Sequence, residues 1–394
     1  MEGEQTPKRA PPPPPLWGAV AAAGVAAGVH FTRLPGVVGG ATLPALPPGL
    51  SVVLHARLAG RLVPTEGAGG GGGMRVDRVS VAALDGLLSA ADRAALLGAL
   101  VCEEEGGGGG EGGGVDPDTA CLGPAPPAAL WSRSAADFPG GPRSWGLTAA
   151  TAARVGGGGG CGGGWGGAPA SPSPLRPALA TYAARLAALF PGCDVSLMPA
   201  ADMQVDGAGG GGGGAACCEA VMGTAAVSAD AFAFHTDADP ATLPAPTPWT
   251  AAYGRYANRD RAKPWLVTAV LCLNPVWDGA AWGGELRVVD EGGGGVGVLV
   301  CPAPGRLILM DQDATHCVTP PTAAAPAPRY ALVWKLAVCG RDGEAGAATP
   351  PPSSFSLGGC LASVPGLEVL PPADLGGAAA LAVAVRKAGR GEFG

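Results

Sequence analysis

The sequence predicts a mainly β fold with flanking helices, a distorted jelly roll, on three observations. From about residue 221 onward short apolar runs alternate with turn signals, two segments of helical period stand before them, and glycine tracts break the chain where these pieces meet. Several strands at this spacing point to a sandwich or barrel.

The glycine tracts set the usable length. Gly 69 and Pro 41 make up more than a quarter of the 394 residues, and the glycines cluster at 69–73, 106–114, 156–167, 209–214 and 292–295. Homopolymeric glycine has too much backbone entropy to pack into helix or strand, so these tracts read as expanded surface loops. They suggest four regions: a low-complexity N-terminal segment at 1–74, a helical support region with Gly-rich insertions at 75–220, a β core at 221–340, and an Ala/Gly/Pro-rich tail at 341–394.

In chain order, residues 84–100 carry the first helix signature. Ser89 followed by Asp92 is a near capping box, and Leu88, Leu96, Leu97 and Leu100 supply an apolar stripe. A second amphipathic helix is expected over 175–190, closed by Pro191-Gly192, with Leu179, Leu186, Leu189 and Phe190 facing a core. Strands follow at 231–234, 265–273, 285–289, 296–300, 306–310 and 329–338.

Charge and cysteine usage narrow the function classes. A net charge of −7 and a pI near 5.2 leave no basic footprint for duplex nucleic acid or an anionic membrane. The 11 cysteines contain no C-x-x-C pair, so reduced, buried thiols are expected in place of a zinc ribbon or disulfide framework. The apolar stretch 16–29 is shorter than the roughly 20 residues that span a bilayer. It fits a targeting or anchoring segment, but Glu2 and Glu4 precede it, so no compartment is assigned.

The chemistry is expected from four residues. The segment F-A-F-H-T-D puts His235 and Asp237 two positions apart at a strand end, where both side chains project from one face. His316 follows another predicted strand, and two imidazoles with one carboxylate make a facial triad that leaves coordination positions open on an iron ion. Thirteen residues after His316, Arg329 opens the strand R-Y-A-L-V-W-K, where a guanidinium can grip the distal carboxylate of a 2-oxo diacid with two charged hydrogen bonds. Lys335, six residues on and facing the same way, is the rival anchor, and roughly 20 Å separates the two.

These residues resemble the iron(II)- and 2-oxoglutarate-dependent dioxygenases, in particular the prolyl 4-hydroxylase-like branch. The resemblance is carried by H-T-D at 235–237, V-T-A-V-L-C-L-N at 267–274, W-G-G-E-L at 282–286, P-G-R-L-I-L-M-D at 304–311, His316 and R-Y-A-L at 329–332. It implies a double-stranded β-helix fold, with iron(II) held by His235, Asp237 and His316, 2-oxoglutarate anchored by Arg329, and dioxygen as oxidant. Ascorbate stays open as a reductant. The implied reaction hydroxylates a C–H bond while 2-oxoglutarate is decarboxylated to succinate, on a protein side chain such as prolyl or lysyl. The same chemistry on a small metabolite or modified nucleobase, and a non-catalytic cupin-like metal protein, are the alternatives. Relatives of this branch usually carry lysine where Arg329 stands and a tyrosine-rich lead-in before H-x-D, and the insert 238–263 lengthens the gap between the two histidines.

Other residues have weaker claims. Asp311 or Asp313 could orient the His316 ring, or simply satisfy a turn. Asp239 shares a face with Asp237. Arg255, Arg259, Arg261 and Lys263, with Tyr253 and Tyr256 among them, form a basic-aromatic patch suited to a substrate lid or a solvated loop. Trp277 and Trp282 could line the site mouth or pack in the core. His30 and His55 are assigned nothing.

Overall fold

Residues 265–272 are buried at every position, the pattern of a strand covered on both faces, and this strand lies at the centre of the fold. The structure is a computed structural model describing residues 32–33, 50–64, 74–101, 126–133, 145–155, 175–190, 193–198, 220–228, 230, 234–243, 245–260, 263–291 and 297–340. The apolar stretch 16–29, the tail 341–394 and residues 231–233 of the first expected strand lie outside these.

The first half contributes β1 (Thr32–Arg33), β2 (Ser51–Pro64), β3 (Met74–Asp85), α1 (Ala90–Val101), β4 (Trp131–Arg133), β5 (Trp145–Leu147), α2 (Ala149–Val155), α3 (Leu175–Ala188) and β6 (Cys193–Leu197). The second half contributes β7 (Val221–Ala226), α4 (Pro248–Tyr253), β8 (Trp265–Cys272), α5 (Gly279–Trp282), β9 (Leu286–Val289), β10 (Gly297–Val300), β11 (Leu307–Asp311), β12 (His316–Val318) and β13 (Arg329–Gly340). No helix among the described residues is long and apolar enough to cross a membrane.

Two sheets face each other. The larger runs β2-β3-β11-β8-β13-β7-β5-β4, with β6 beside the far end of β13, and the smaller runs β10-β9-β12. After β8 the chain passes back and forth between the sheets: β9 and β10 belong to the smaller, β11 to the larger, β12 to the smaller and β13 to the larger. This is the double-stranded β-helix, or distorted jelly roll, that the sequence predicts. Between the sheets, Val270, Ile308, Met310 and Ala331 meet Leu286, Val288, Val298 and Val300. Behind the larger sheet, Leu96, Leu100, Leu179, Tyr182 and Leu186 of α1 and α3 cover Val267, Ala269, Leu271, Leu309, Leu332 and Trp334. Each such aliphatic side chain contributes about 1.5–3 kcal/mol on burial.

The N-terminal half departs from expectation. β2 lies inside 1–74, the stretch read as a lead-in, and pairs along its length with β3. Ala56 and Leu58 are buried at alternate positions there, but intervening Arg57 and the glycine tract that follows hide the period from a window reading. β3 in turn pairs with β11, so this hairpin widens the larger sheet. The helix expected from residue 84 begins at Ala90, because Leu84 and Asp85 still belong to β3. Ser89 caps it: its hydroxyl accepts from the Asp92 N–H at 3.1 Å. Among the described cysteines, Cys272, Cys301, Cys317 and Cys339 are free thiols.

Candidate metal centre

His235 and His316 are joined by their backbones. Each donates its N–H to the other's carbonyl at 2.9 Å, an antiparallel bridge that continues the smaller sheet past β12. Residues opposed in this way project from the same face of the sheet, and their rings lie 4.4 Å apart. Asp237 comes from the turn after His235 and is fixed from below, its N–H and that of Ala238 both donating to the Gln312 carbonyl at 2.9 and 3.1 Å.

The three side chains converge. Nε2 of His235 is 4.0 Å from Asp237 Oδ1, Nε2 of His316 is 4.0 Å from Asp237 Oδ2, and one donor atom from each residue lies within 4.8 Å of the others. Two imidazoles and a carboxylate are the donor types that suit iron(II) while leaving a face of the ion open. Exposure grades across the set, from 44% for the His235 side chain to 5% for that of His316, so the centre is approached from the His235 side.

Protonation suits the role. His316 Nδ1 sits 2.9 Å from the Ala314 carbonyl, which can only accept; Nδ1 therefore carries the hydrogen and Nε2 presents its lone pair toward Asp237. Burial pushes the His316 pKa down and keeps the ring neutral. For Asp237, burial alone would raise the pKa. The Lys335 ammonium, the His316 ring, the Thr268 hydroxyl and His235 together overcome it and hold the carboxyl well below the usual carboxylate range. Thr268 donates to Asp237 Oδ2 at 2.5 Å and Lys335 Nζ lies 3.1 Å from Oδ1.

The two candidate anchors differ in their partners. Thr268 and Lys335 are cross-strand neighbours on β8 and β13, and both point at Asp237. Arg329, on the same face at the start of β13, is 2% exposed and makes no ion pair among the described residues. The acid acting on it, Glu285, takes a short hydrogen bond from the Thr319 hydroxyl, and the Cys272 thiol is the polar group Arg329 touches. Burial pushes the Arg329 pKa down, yet an arginine stays charged.

The Arg329 pocket explains two further motif segments. Asn274 accepts from the Tyr330 N–H at 2.7 Å and donates to the Pro328 carbonyl at 2.9 Å, clamping the backbone on both sides of Arg329. In W-G-G-E-L, Gly284 adopts φ 79°, and a Cβ there would lie 2.9 Å from Arg329 Cδ. Trp277 and Trp282 stack edge to face at 5.5 Å beside this pocket, and Trp277 Nε1 donates to the Gly283 carbonyl.

Several side expectations change. Neither Asp311 nor Asp313 touches the His316 ring, which the Ala314 carbonyl orients. Asp239 serves a turn, accepting from the Ala241 N–H and Thr242 hydroxyl. Part of the basic-aromatic patch is folded inward: Tyr253 and Tyr256 pack with Trp249 in a small core, Lys263 donates to the Tyr253 carbonyl, and Arg259 pairs with Asp311 and Asp313, while Arg255 stays exposed. Arg261 lies outside the described residues. Thr268 and Asn274 lie in the V-T-A-V-L-C-L-N segment but were given no role there, and Gln312 was passed over. The available signal was a polar residue inside or abutting an apolar strand.

Residues 223–334 match the model of the 2OG-Fe(II) oxygenase superfamily. No curated protein matches the chain. Similar solved structures include a prolyl hydroxylase in complex with a hypoxia inducible factor oxygen degradation domain peptide fragment from Trichoplax adhaerens. It is 22% identical, the alignment covers 30% of this chain and 43% of that one, and the TM-score is 0.19. A Pseudomonas putida prolyl-4-hydroxylase is 17% identical, with 66% of this chain and 92% of that one covered and a TM-score of 0.28. The chain spans less than half the length of the first of these, and at such scores neither likeness bears on its substrate. The family match runs from β7 to Trp334 of β13, through both sheets and all three donor residues. Residues 223–334 are therefore similar to the 2OG-Fe(II) oxygenase superfamily, a family of oxidoreductases.

Proposed function

We propose that the protein hydroxylates a C–H bond, using iron(II) held by His235, Asp237 and His316 and 2-oxoglutarate anchored by Arg329. The observation that carries this reading is the buried Arg329, which has no ion-pair partner among the described residues and shares a strand face with Lys335, the lysine that contacts the donor set. Enclosing an unpaired cation is costly unless an anion arrives, and a dicarboxylate with one end at the donor set supplies one. A metal protein without turnover has no need of such a residue, which disfavours the cupin-like alternative.

Iron(II) bound by the three side chains would supply dioxygen activation coupled to decarboxylation of 2-oxoglutarate to succinate. The chain's own residues do the rest. Thr268 and Lys335 fix the direction of the Asp237 carboxylate and keep it ionised. Ala314 holds His316 in the tautomer with a free Nε2 lone pair. The apolar wall of Val270, Ile308, Met310 and Ala331 excludes water along the larger sheet. Substrate enters on the exposed His235 side, next to Phe234, which is 54% exposed.

Peptidyl proline is the first substrate to test, on the motif resemblance to the prolyl 4-hydroxylase-like branch, with ascorbate included as reductant. Arg259 and Lys263 of the basic patch are engaged within the protein, which weakens the feature that favoured a nucleobase. The test loads the purified protein with iron(II) anaerobically, adds 2-oxoglutarate and monitors the visible charge-transfer band, then succinate on admitting air. A band in the wild type that is absent in Asp237→Ala supports the reading. Absence of band and succinate in the wild type ends it.

A further inference from the structure

The insert 238–263 reads in sequence as a substrate lid or a solvated loop, yet Asn258 is fully buried and Arg259 is bound to the core. Arg259 donates to both carboxylate oxygens of Asp313 at 2.8 Å, and its Nη1 is 3.0 Å from Asp311 Oδ2. Asn258 donates to Asp313 at 3.0 Å and to the Leu266 carbonyl at 2.9 Å, and accepts from the Leu266 N–H at 2.7 Å. Asp311 also accepts from the Ser80 N–H at 2.7 Å and from Trp265 Nε1 at 2.5 Å. One guanidinium thus joins two carboxylates that would otherwise repel each other in the interior.

The residues between and after those two carboxylates hold the donor set. Gln312 lies between them, and its carbonyl takes the Asp237 and Ala238 N–H groups. Ala314 follows, its carbonyl orienting the His316 ring and its N–H returning to the Asp311 carbonyl at 3.0 Å. Letting go of Asp311 and Asp313 would therefore loosen the carbonyl that sets the His316 tautomer and the one that seats Asp237. We infer that Arg259 is a positioning residue for the donor set, acting through Asp313 and Asp311 on the Gln312 and Ala314 carbonyls, and that this end of the insert is a brace.

The inference rests on the reading of His316 as a metal ligand, and the test separates the two. Manganese(II), a redox-silent probe, is titrated into the purified full-length chain, and the nitrogen shifts of the metal-free histidines report tautomers. The control is Arg306→Met. Arg306 makes a comparable two-pronged pair with Asp85 at the opposite end of β11, with contacts of 2.9 and 2.8 Å, and touches neither carbonyl. Loss of outer partners of metal ligands costs 10–100-fold in affinity, so Arg259→Met is expected to weaken manganese binding by at least about tenfold. Arg306→Met stays within about twofold of wild type, and His316→Ala loses binding altogether.

The His316 ring is expected to keep hydrogen on Nδ1 in Arg306→Met and to show mixed tautomers in Arg259→Met. Asp313→Asn, which retains shape and loses charge, gives a smaller loss in the same direction and serves if Arg259→Met does not fold. Unchanged manganese binding in His316→Ala removes the ligand reading and the inference with it. Loss in His316→Ala with Arg259→Met and Asp313→Asn no weaker than Arg306→Met overturns the brace alone.

Discussion

Lys335 Nζ lies 3.1 Å from Asp237 Oδ1, opposite the Thr268 hydroxyl on the other carboxylate oxygen. Both side chains are nearly enclosed, at 6% and 10% exposure, so ammonium and carboxylate compensate each other. The lysine that looked like a rival anchor is committed to the donor set. This separates the two cations of β13: Lys335 serves the carboxylate, and Arg329, buried without an ion pair among the described residues, is the one left for the proposed cosubstrate.

The first prediction follows from that division. Arg329→Met should weaken binding of 2-oxoglutarate to the manganese-loaded protein by roughly 10–100-fold, the worth of a two-pronged charged hydrogen bond of about 1.5–3 kcal/mol. Lys335→Met should weaken it at least about tenfold less. Equilibrium titration of 2-oxoglutarate decides, and the opposite ranking would return the anchor to Lys335.

Lys335→Met should instead destabilise the metal-free protein. Removing one partner of a buried pair leaves the other charge uncompensated and costs about 3–5 kcal/mol. Adding Asp237→Asn should recover most of that loss, because no buried charge is then left behind. Urea unfolding in the presence of a chelator measures both variants, and a Lys335→Met protein within about 1 kcal/mol of wild type contradicts the pairing.

Gly284 should be intolerant of a side chain for two separate reasons. Its φ of 79° costs an L-residue about 1–2 kcal/mol, and the new Cβ would press on Arg329 Cδ at 2.9 Å. Gly284→Ala is therefore expected to lose stability and to weaken 2-oxoglutarate binding more than manganese binding. Paired titrations check this, and equal losses for both ligands would mean that Arg329 had not moved.

A fourth prediction concerns pH. Burial pushes the Asp230 carboxyl up to about 6, against the pull of the Arg133 guanidinium 3.1 Å away. Between about pH 4 and 6 the folded chain thus binds a proton that the unfolded chain releases. Stability from this group falls as pH rises through that window, by on the order of 3 kcal/mol at most. Asp230→Asn should remove that fall, which unfolding curves at pH 4.5 and 6.5 would detect. A difference between the two pH values that is the same in both proteins would contradict it.

Much of the β core was legible from residue order. β8, β9, β10, β11 and β13 begin within a residue or two of their expected places, because alternation and turn residues act locally. The N-terminal hairpin was not legible, since β2 and β3 are held by pairing to each other and to β11, more than 200 residues away in the chain. Distant pairing leaves no mark in a local window. The same holds for the insert, whose arginines looked like a solvated patch until Asp311 and Asp313 were brought beneath Arg259.

By itself the sequence offered the candidate donors and their order: His235, Asp237 and His316, then Arg329 at the head of a strand. Only the tertiary structure distinguishes the surroundings of the two cations. Arg329 and Lys335 share a strand face and a charge, so spacing leaves them equivalent. What separates them is which carboxylate the fold delivers within hydrogen-bond reach. Asp237 is seated on the Gln312 carbonyl beside Lys335, while no acid pairs with Arg329 among the described residues. Charge compensation in a buried site depends on a few ångströms, and such distances are set by the packing of both sheets.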